Sequence, residues 1–581
     1  MTIQQAFDSA VAHHRAGRLA EAEGIYRQIL AQDPRQPDAL RLLGVLLFQS
    51  ARFDESASVL ERAVGAGQAS AEVYYYLGTS LWKCRRSSEA VGALQKSLET
   101  QPKSFAANNS LGLALISEGK LDDGIAALRR AVELNPKASE PLVNLGNALR
   151  SVAQIEEALA CFNRAVDLND DPAAWDNVLF TLNYLPGIDT ATIRKDHEHW
   201  YSRIVVPRVF TQPPHPNDQI ATRRLRVGFV SGDFNRHPIA RFLLPLLENL
   251  DRSQIEIFCY SNTIELDAQT ERFRTTANAW RDIRGIADVQ AAGLVRNDQI
   301  DILLDLSLHG EGNRLGLFAL KPAPVQATWL GYVGTTGLHS VDYRITDAII
   351  DPSESRDVFV ERAARLDGCF WCYRPPDFAP DVAELPAHRN GCITFGCFNN
   401  FAKVNEQVVR GWGQIMASVP NSRIVIHSPP GSHRERVVRT LADAGIEANR
   451  VRFVGFLPTD QYLAEYTQID IALDPFPFGG GTTTFDALWM GVPVVTLAGR
   501  IPAGRGGATI LTHLKKPHWI ATDEQAYVRI ARDLAADFPA LAQVRSELRP
   551  QVASSPLVDA TRFARNMETV LRRMWQNYCS A

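Results

Sequence analysis

The sequence is 581 residues long, 45% hydrophobic and 22% charged, which excludes a disordered or fibrous chain and is too much for one compact core. Its 61 basic and 65 acidic residues leave a formal charge of -4, so nothing draws the whole chain to nucleic acid or an anionic membrane, and any bound anion must be held locally. No stretch approaches the roughly 18 apolar residues of a membrane span, and the first residues lack a leader pattern. A cytoplasmic protein with neither nucleic-acid nor membrane partners is expected.

In chain order the first signal is a period. Leu43-Gly44, Leu77-Gly78, Leu111-Gly112 and Leu145-Gly146 recur every 34 residues. In the same register Ala22, Ser56, Ala90, Gly124 and Ala158 are small, while Tyr26, Leu60, Leu94, Leu128 and Phe162 are large; Pro34, Pro102 and Pro136 close their repeats. Two helices per repeat explain this: the small residue lets a neighbouring helix approach, the large one fills the space beside it, and proline cannot continue the second helix. The pattern resembles tetratricopeptide repeats, about five copies over residues 1–172, and predicts a superhelix with a concave face for protein or peptide partners. The segment 173–185 keeps helical apolar spacing without the period and reads as the cap of the array, opening a connecting region over 173–222.

The Pro-rich stretch 210–218 marks a break, after which strand and helix alternate. Buried strands are predicted at 226–230, 255–261, 300–307 and 325–332 in one lobe (223–385), and at 392–398, 423–428, 450–456, 469–475 and 492–498 in a second (386–581). Such alternation implies parallel sheets with helices on both faces, and ligands beyond the carboxyl ends of the strands.

The loop Asp474-Pro-Phe-Pro-Phe-Gly479-Gly480-Gly481-Thr482-Thr483 ends a strand and opens a helix. Free N–H groups and the helix dipole there can hold a pyrophosphate, with Thr482 and Thr483 adding hydroxyls. No Lys-Ser or Lys-Thr follows the glycines, so this is not a P-loop. Asp486, one turn into the helix, is placed to accept ribose hydroxyls or simply to face the dipole. Lys403, in Phe398-Asn-Asn400-Phe-Ala-Lys403, follows the second lobe's first strand and could neutralise a leaving diphosphate. Cys369-Phe-Trp-Cys372 has no second pair or spaced histidines near it and reads as buried thiols rather than a metal or redox site. His197 and His199, two apart on a helix, do not share a face.

The segments GFVSGDFNRHPIARFL, LDLSLHGEGNRLGLFALKPAPVQATWLGYVGTTG, ITFGCFNNFAKVN and GGGTTTFDALWMGVPVVTLAG resemble the protein O-GlcNAc transferases over nearly the whole chain. The resemblance implies an α-helical tetratricopeptide superhelix followed by an α/β GT-B fold of two Rossmann-like lobes. It implies UDP-N-acetylglucosamine as donor and Ser or Thr hydroxyls of proteins as acceptors, reached through the repeat groove and the cleft. Transfer would invert the anomeric carbon, with no metal or other cofactor. Carried over residue by residue, it makes Lys403 the stabiliser of the leaving group and puts Asn400, Gly480, Gly481, Thr482, Thr483 and Asp486 around the nucleotide. His237 and His309 become the catalytic histidines, either able to take the acceptor proton. The sequence departs from the family where animal members carry a histidine and this chain has Gly481, at Tyr462, and at Leu42, Tyr76, Ser110 and Asn144, where an asparagine ladder is all but missing. A GDP-fucose-dependent O-fucosyltransferase, or a nucleotide-sugar-binding scaffold without transfer, stands as the alternative.

Overall fold

A computed structural model describes residues 2–206, 214–355 and 359–580; part of the Pro-rich break expected at 210–218 lies outside them. The repeats fold as helix pairs, from Ile3–Arg15 with Leu19–Gln32 to Ser139–Ser151 with Ile155–Asn169. The Leu-Gly glycines are where the pairs touch. A Cβ on Gly44, Gly78, Gly112 or Gly146 would fall 2.5, 2.6, 2.6 or 2.4 Å from the side chain of Leu60, Leu94, Leu128 or Phe162. The periodic large residues thus fill the space that the glycines leave. First helices begin on side-chain caps, Ser70 accepting from the Val73 N–H and Ser104 from the Ala107 N–H, as isolated turns require. Pro102 and Pro136 lie just beyond the second helices Ser87–Thr100 and Leu121–Leu134. At the expected ladder positions Ser110 accepts from Thr79 at 3.2 Å, while Asn144 donates to Asn109 at 2.9 Å, so the amide chain moves one residue aside.

The second unit takes in the helices Pro172–Thr181 and Thr190–Trp200 and two parallel sheets. The first sheet holds β1 (Leu225–Ser231), β2 (Ile255–Ser261), β3 (Ala279–Asp282), β4 (Ile302–Asp305), β5 (Val325–Thr328), β6 (Tyr343–Thr346) and β7 (Arg362–Arg365), in the order β3-β2-β1-β4-β5-β6-β7. The second holds β8 (Thr394–Cys397), β9 (Arg423–His427), β10 (Val451–Val454), β11 (Ile471–Leu473), β12 (Val494–Leu497) and β13 (Ile520–Ala521), in the order β10-β9-β8-β11-β12-β13. All nine expected strands form. β3, β6, β7 and β13 are additions that the sequence hid, because they are short and two of them, β3 and β7, carry half-exposed, polar residues rather than an apolar run.

In both sheets the strand order reverses once, between β1 and β4 and between β8 and β11. A crevice opens at such a reversal, because the connections on its two sides leave in opposite directions. The loops carrying the sequence motifs follow these four strands. One apolar cluster joins the two lobes: Phe229, Leu304 and Trp329 of the first, Phe485 and Val494 of the second, and Phe563, Met567, Leu571 and Trp575 of the last helix, Ala560–Cys579. Among the described residues no helix is long and apolar enough to cross a membrane.

Candidate active site

After β1 the chain turns through Asp233–Ile239. Phe234 N–H donates to the Thr263 hydroxyl at 3.0 Å and Arg236 N–H to Asp267 at 2.7 Å, so the loop after β2 holds this one in place. His237 stands exposed at its tip, with Nδ1 3.7 Å from Asp233 Oδ2. After β8, Asn400 accepts from the Ala402 N–H at 3.0 Å and closes the turn that delivers Lys403. The Lys403 ammonium donates to the Gly479 carbonyl at 2.7 Å and lies 4.1 Å from the centre of the Phe478 ring. Burial pushes it down to about 8, against the pull of nearby Asp474.

After β11 the helix Thr482–Trp489 starts on Gly481, with no side chain capping it. Its first N–H groups are left for an external anion. Gly480 is required: a Cβ there would lie 2.2 Å from Thr484 Oγ1 and 2.4 Å from Asp474 Oδ1. Asp474 organises the turn, accepting from Thr484 Oγ1 at 3.0 Å, and burial raises its pKa. Asn399 ties the two loops together, its carbonyl accepting from Thr483 Oγ1 at 2.9 Å.

These loops border an open cleft. His237, Lys403, Gly480, Gly481 and Thr482 line it, opposite the β5 loop Leu330–Val333. Leu330 has φ 62° and Gly331 φ 56°. A non-glycine residue in this left-handed region costs roughly 1–2 kcal/mol, held here by the surrounding packing. The pair brings the backbone close to the β4 loop, where a Cβ on Gly331 would meet Ser307 at 3.0 Å.

The other expected residues lie outside the cleft lining. Asn400 is exposed and engaged with its own turn, and Thr483 turns to Asn399. His309 is 3% exposed. Its Nδ1 lies 2.7 Å from Asp176 Oδ1 and its Nε2 3.0 Å from the Thr336 carbonyl oxygen. Both ring nitrogens face acceptors, which leaves none for a hydroxyl proton. Asn313 donates to the other oxygen of Asp176 at 2.8 Å, so the β4 loop grips the helix Pro172–Thr181 from two points. Asp486 is 2% exposed, and its Oδ1 accepts from Arg241 at 2.6 Å and from the Tyr373 hydroxyl at 2.5 Å. Burial raises its pKa while Arg241 opposes the rise.

Sequence reasoning missed Arg241, Tyr373, Asn399 and Asp474, which hold motif residues in place, and Trp371, which lines the cleft. Arg241, Asn399 and Asp474 stood inside the motif segments and Trp371 inside Cys369-Phe-Trp-Cys372, but nothing there assigned them a role, because their partners lie far off in sequence; Tyr373 gave no signal. Cys369 and Cys372 are buried free thiols. Among the described residues no cluster of His, Cys, Asp or Glu is arranged to hold a metal ion.

The family model for glycosyl transferase family 41 matches residues 203–374 and 383–567, and tetratricopeptide models match 13–81, 75–139 and 115–179. A rice (Oryza sativa subsp. japonica) protein named probable UDP-N-acetylglucosamine–peptide N-acetylglucosaminyltransferase SPINDLY is 39% identical over 419 residues, 71% of this chain and 45% of its own length. The Arabidopsis thaliana protein similarly named with the suffix SEC is 28% identical over 369 residues, 62% of this chain and 38% of its own. The chain therefore spans less than half the length of these relatives. A solved structure of a Thermobaculum terrenum O-GlcNAc transferase mutant superposes with TM-score 0.81 at 33% identity, covering 88% of this chain and 98% of that one. With two parallel-sheet lobes after tetratricopeptide repeats, and a family match across both lobes, the chain belongs to glycosyl transferase family 41.

Proposed function

We propose that the protein transfers N-acetylglucosamine from UDP-N-acetylglucosamine to Ser or Thr hydroxyls of proteins, with inversion. The observation that carries this reading is the convergence of Lys403, the uncapped helix start at Gly481–Thr482 and exposed His237 on one cleft. The names of the rice relative and of the Thermobaculum terrenum structure support the donor and the sugar. The repeats supply a surface for protein acceptors.

In this reading the diphosphate lies against the helix start and Lys403. The acceptor oxygen attacks the anomeric carbon from the face opposite the diphosphate, and the carbon–oxygen bond to UDP breaks with its electron pair passing to the β-phosphate. Lys403 and the helix N–H groups stabilise that charge in a partly dehydrated site, where fixed donors act most strongly. The acceptor proton goes to His237, the histidine that lines the cleft. Positioning supplies much of the remaining acceleration.

Incubation with labelled UDP-N-acetylglucosamine and a peptide library is expected to label peptides at Ser or Thr. Lys403→Met is expected to lose at least about 100-fold in turnover, the scale of one transition-state charge contact. Labelling from GDP-fucose alone would overturn the donor assignment, and undiminished turnover in Lys403→Met would overturn the mechanism.

A further inference from the structure

The cleft has an aromatic side that proton removal and diphosphate stabilisation leave unexplained. Trp371 stands on it, from the segment between the two sheets. Its benzenoid edge covers the helix start: a Cβ on Gly481 would lie 3.5 Å from Trp371 Cη2, and one on Gly506 3.1 Å. The indole is fixed from three sides, by Phe370 at 4.9 Å between ring centres, Phe242 of the first lobe at 5.9 Å and Phe485 of the second at 6.2 Å. It remains partly exposed in the cleft, and its indole N–H has no hydrogen-bond partner among the described residues.

We propose that Trp371 is the specificity-determining wall for the sugar half of the nucleotide-sugar donor. The proposal rests on the transferase reading above. A diphosphate held at Gly481–Thr482 and Lys403 belongs to the second lobe, whereas His237 belongs to the first. The group bridging them is the sugar, because its anomeric carbon must meet the acceptor oxygen whose proton His237 takes. Trp371 spans that same gap, touching Gly481 and Gly506 on one side and Phe242 on the other. A flat hydrocarbon surface with one N–H at its rim suits a pyranose, which offers a C–H face and peripheral hydroxyls. A nucleobase would need several in-plane polar partners, which this wall lacks. Gly506 follows from the same arrangement, since a Cβ there would press on the indole at 3.1 Å.

Calorimetric titration separates the two halves of the donor. UDP is expected to bind Trp371→Leu within about twofold of the unaltered protein, while UDP-N-acetylglucosamine weakens by about tenfold or more. Trp371→Phe, which keeps a ring in place, is expected to retain most of the sugar-dependent affinity and guards against a folding defect in the leucine variant. Equal weakening of both ligands, or of neither, would overturn the proposal. If the unaltered protein binds GDP but not UDP, the donor reading fails instead, and the same comparison with GDP and GDP-fucose still decides the role of Trp371.

Discussion

Lys403 has its charge state set by its surroundings. Burial holds its ammonium near 8 rather than the ordinary 10.5, so the positive charge is present below that pH and disappears above it. Affinity for UDP, followed from about pH 7 to about pH 9.5, is expected to fall toward the alkaline end, and the profile should flatten in Lys403→Met. A flat profile in the unaltered protein would take the lysine out of diphosphate recognition. Stability runs the other way. Between about 8 and 10.5 the unfolded chain holds this proton and the folded chain does not, so stability rises with pH across that window. Removing the ammonium should therefore cost function without costing stability. The motif made Lys403 legible, since a lysine in a loop after a strand of this kind has few places to point. The motif could not tell whether Asp486 and His309 face the ligand or the protein, because Arg241, Tyr373 and Asp176 are distant in sequence and carry no pattern of their own.

At the scale of elements the repeat unit was the most legible part, because one steric relation recurs at fixed spacing. Leu-Gly announces the close approach, and the residue that fills it comes at the same register in the next helix. The glycines are not equivalent, however. A Cβ on Gly112 would sit 2.6 Å from Leu128 and 2.9 Å from the Gly124 carbonyl oxygen, whereas one on Gly92 would meet nothing within 4 Å. Gly112→Ala is expected to destabilise by about 1–3 kcal/mol through overpacking. Gly92→Ala, in the interior of the helix Ser87–Thr100, should gain up to about 1 kcal/mol of helix propensity. Urea unfolding followed by circular dichroism reads both, and equal effects at the two sites would refute the packing account. The sheets were legible only where apolar runs were long. β7, Arg362-Ala-Ala-Arg365, is recognisable as a strand only from its pairing with β6, since half-exposed edge residues carry no hydrophobic period.

For the molecule as a whole, the proposed transfer needs the two lobes held in register, because Lys403 and the helix start at Gly481–Thr482 sit on one and His237 on the other. Two devices do this. The last helix, Ala560–Cys579, belongs to the second lobe by sequence yet packs Phe563 against Trp329 of the first and donates from Arg572 and Trp575 to the carbonyl oxygens of Arg223, where the first lobe begins, and of Ile220 just before it. The other is the pair Arg241–Asp486, an arginine of the first lobe on a fully buried carboxylate of the second. Arg241→Met leaves Asp486 with the neutral Tyr373 and Tyr462 hydroxyls as partners and is expected to cost about 3–5 kcal/mol, the scale of a buried charge stripped of its counter-ion. Asp486→Asn strands the guanidinium instead. The double variant strands neither charge, so its loss should be clearly smaller than the sum of the two single losses, a coupling that simple additivity would contradict. The pH dependence has a definite sign. Burial already raises the Asp486 pKa above its ordinary 3.8, and without Arg241 the rise is larger. The folded variant then binds a proton that the unfolded chain has lost, so the destabilisation of Arg241→Met should be greatest at neutral pH and shrink as the solution is acidified toward the raised value. Urea midpoints for Arg241→Met and the unaltered protein, compared at neutral and mildly acidic pH, should converge on acidification; a gap that stays constant or widens would mean that the charge on Asp486 is not what Arg241 holds in place.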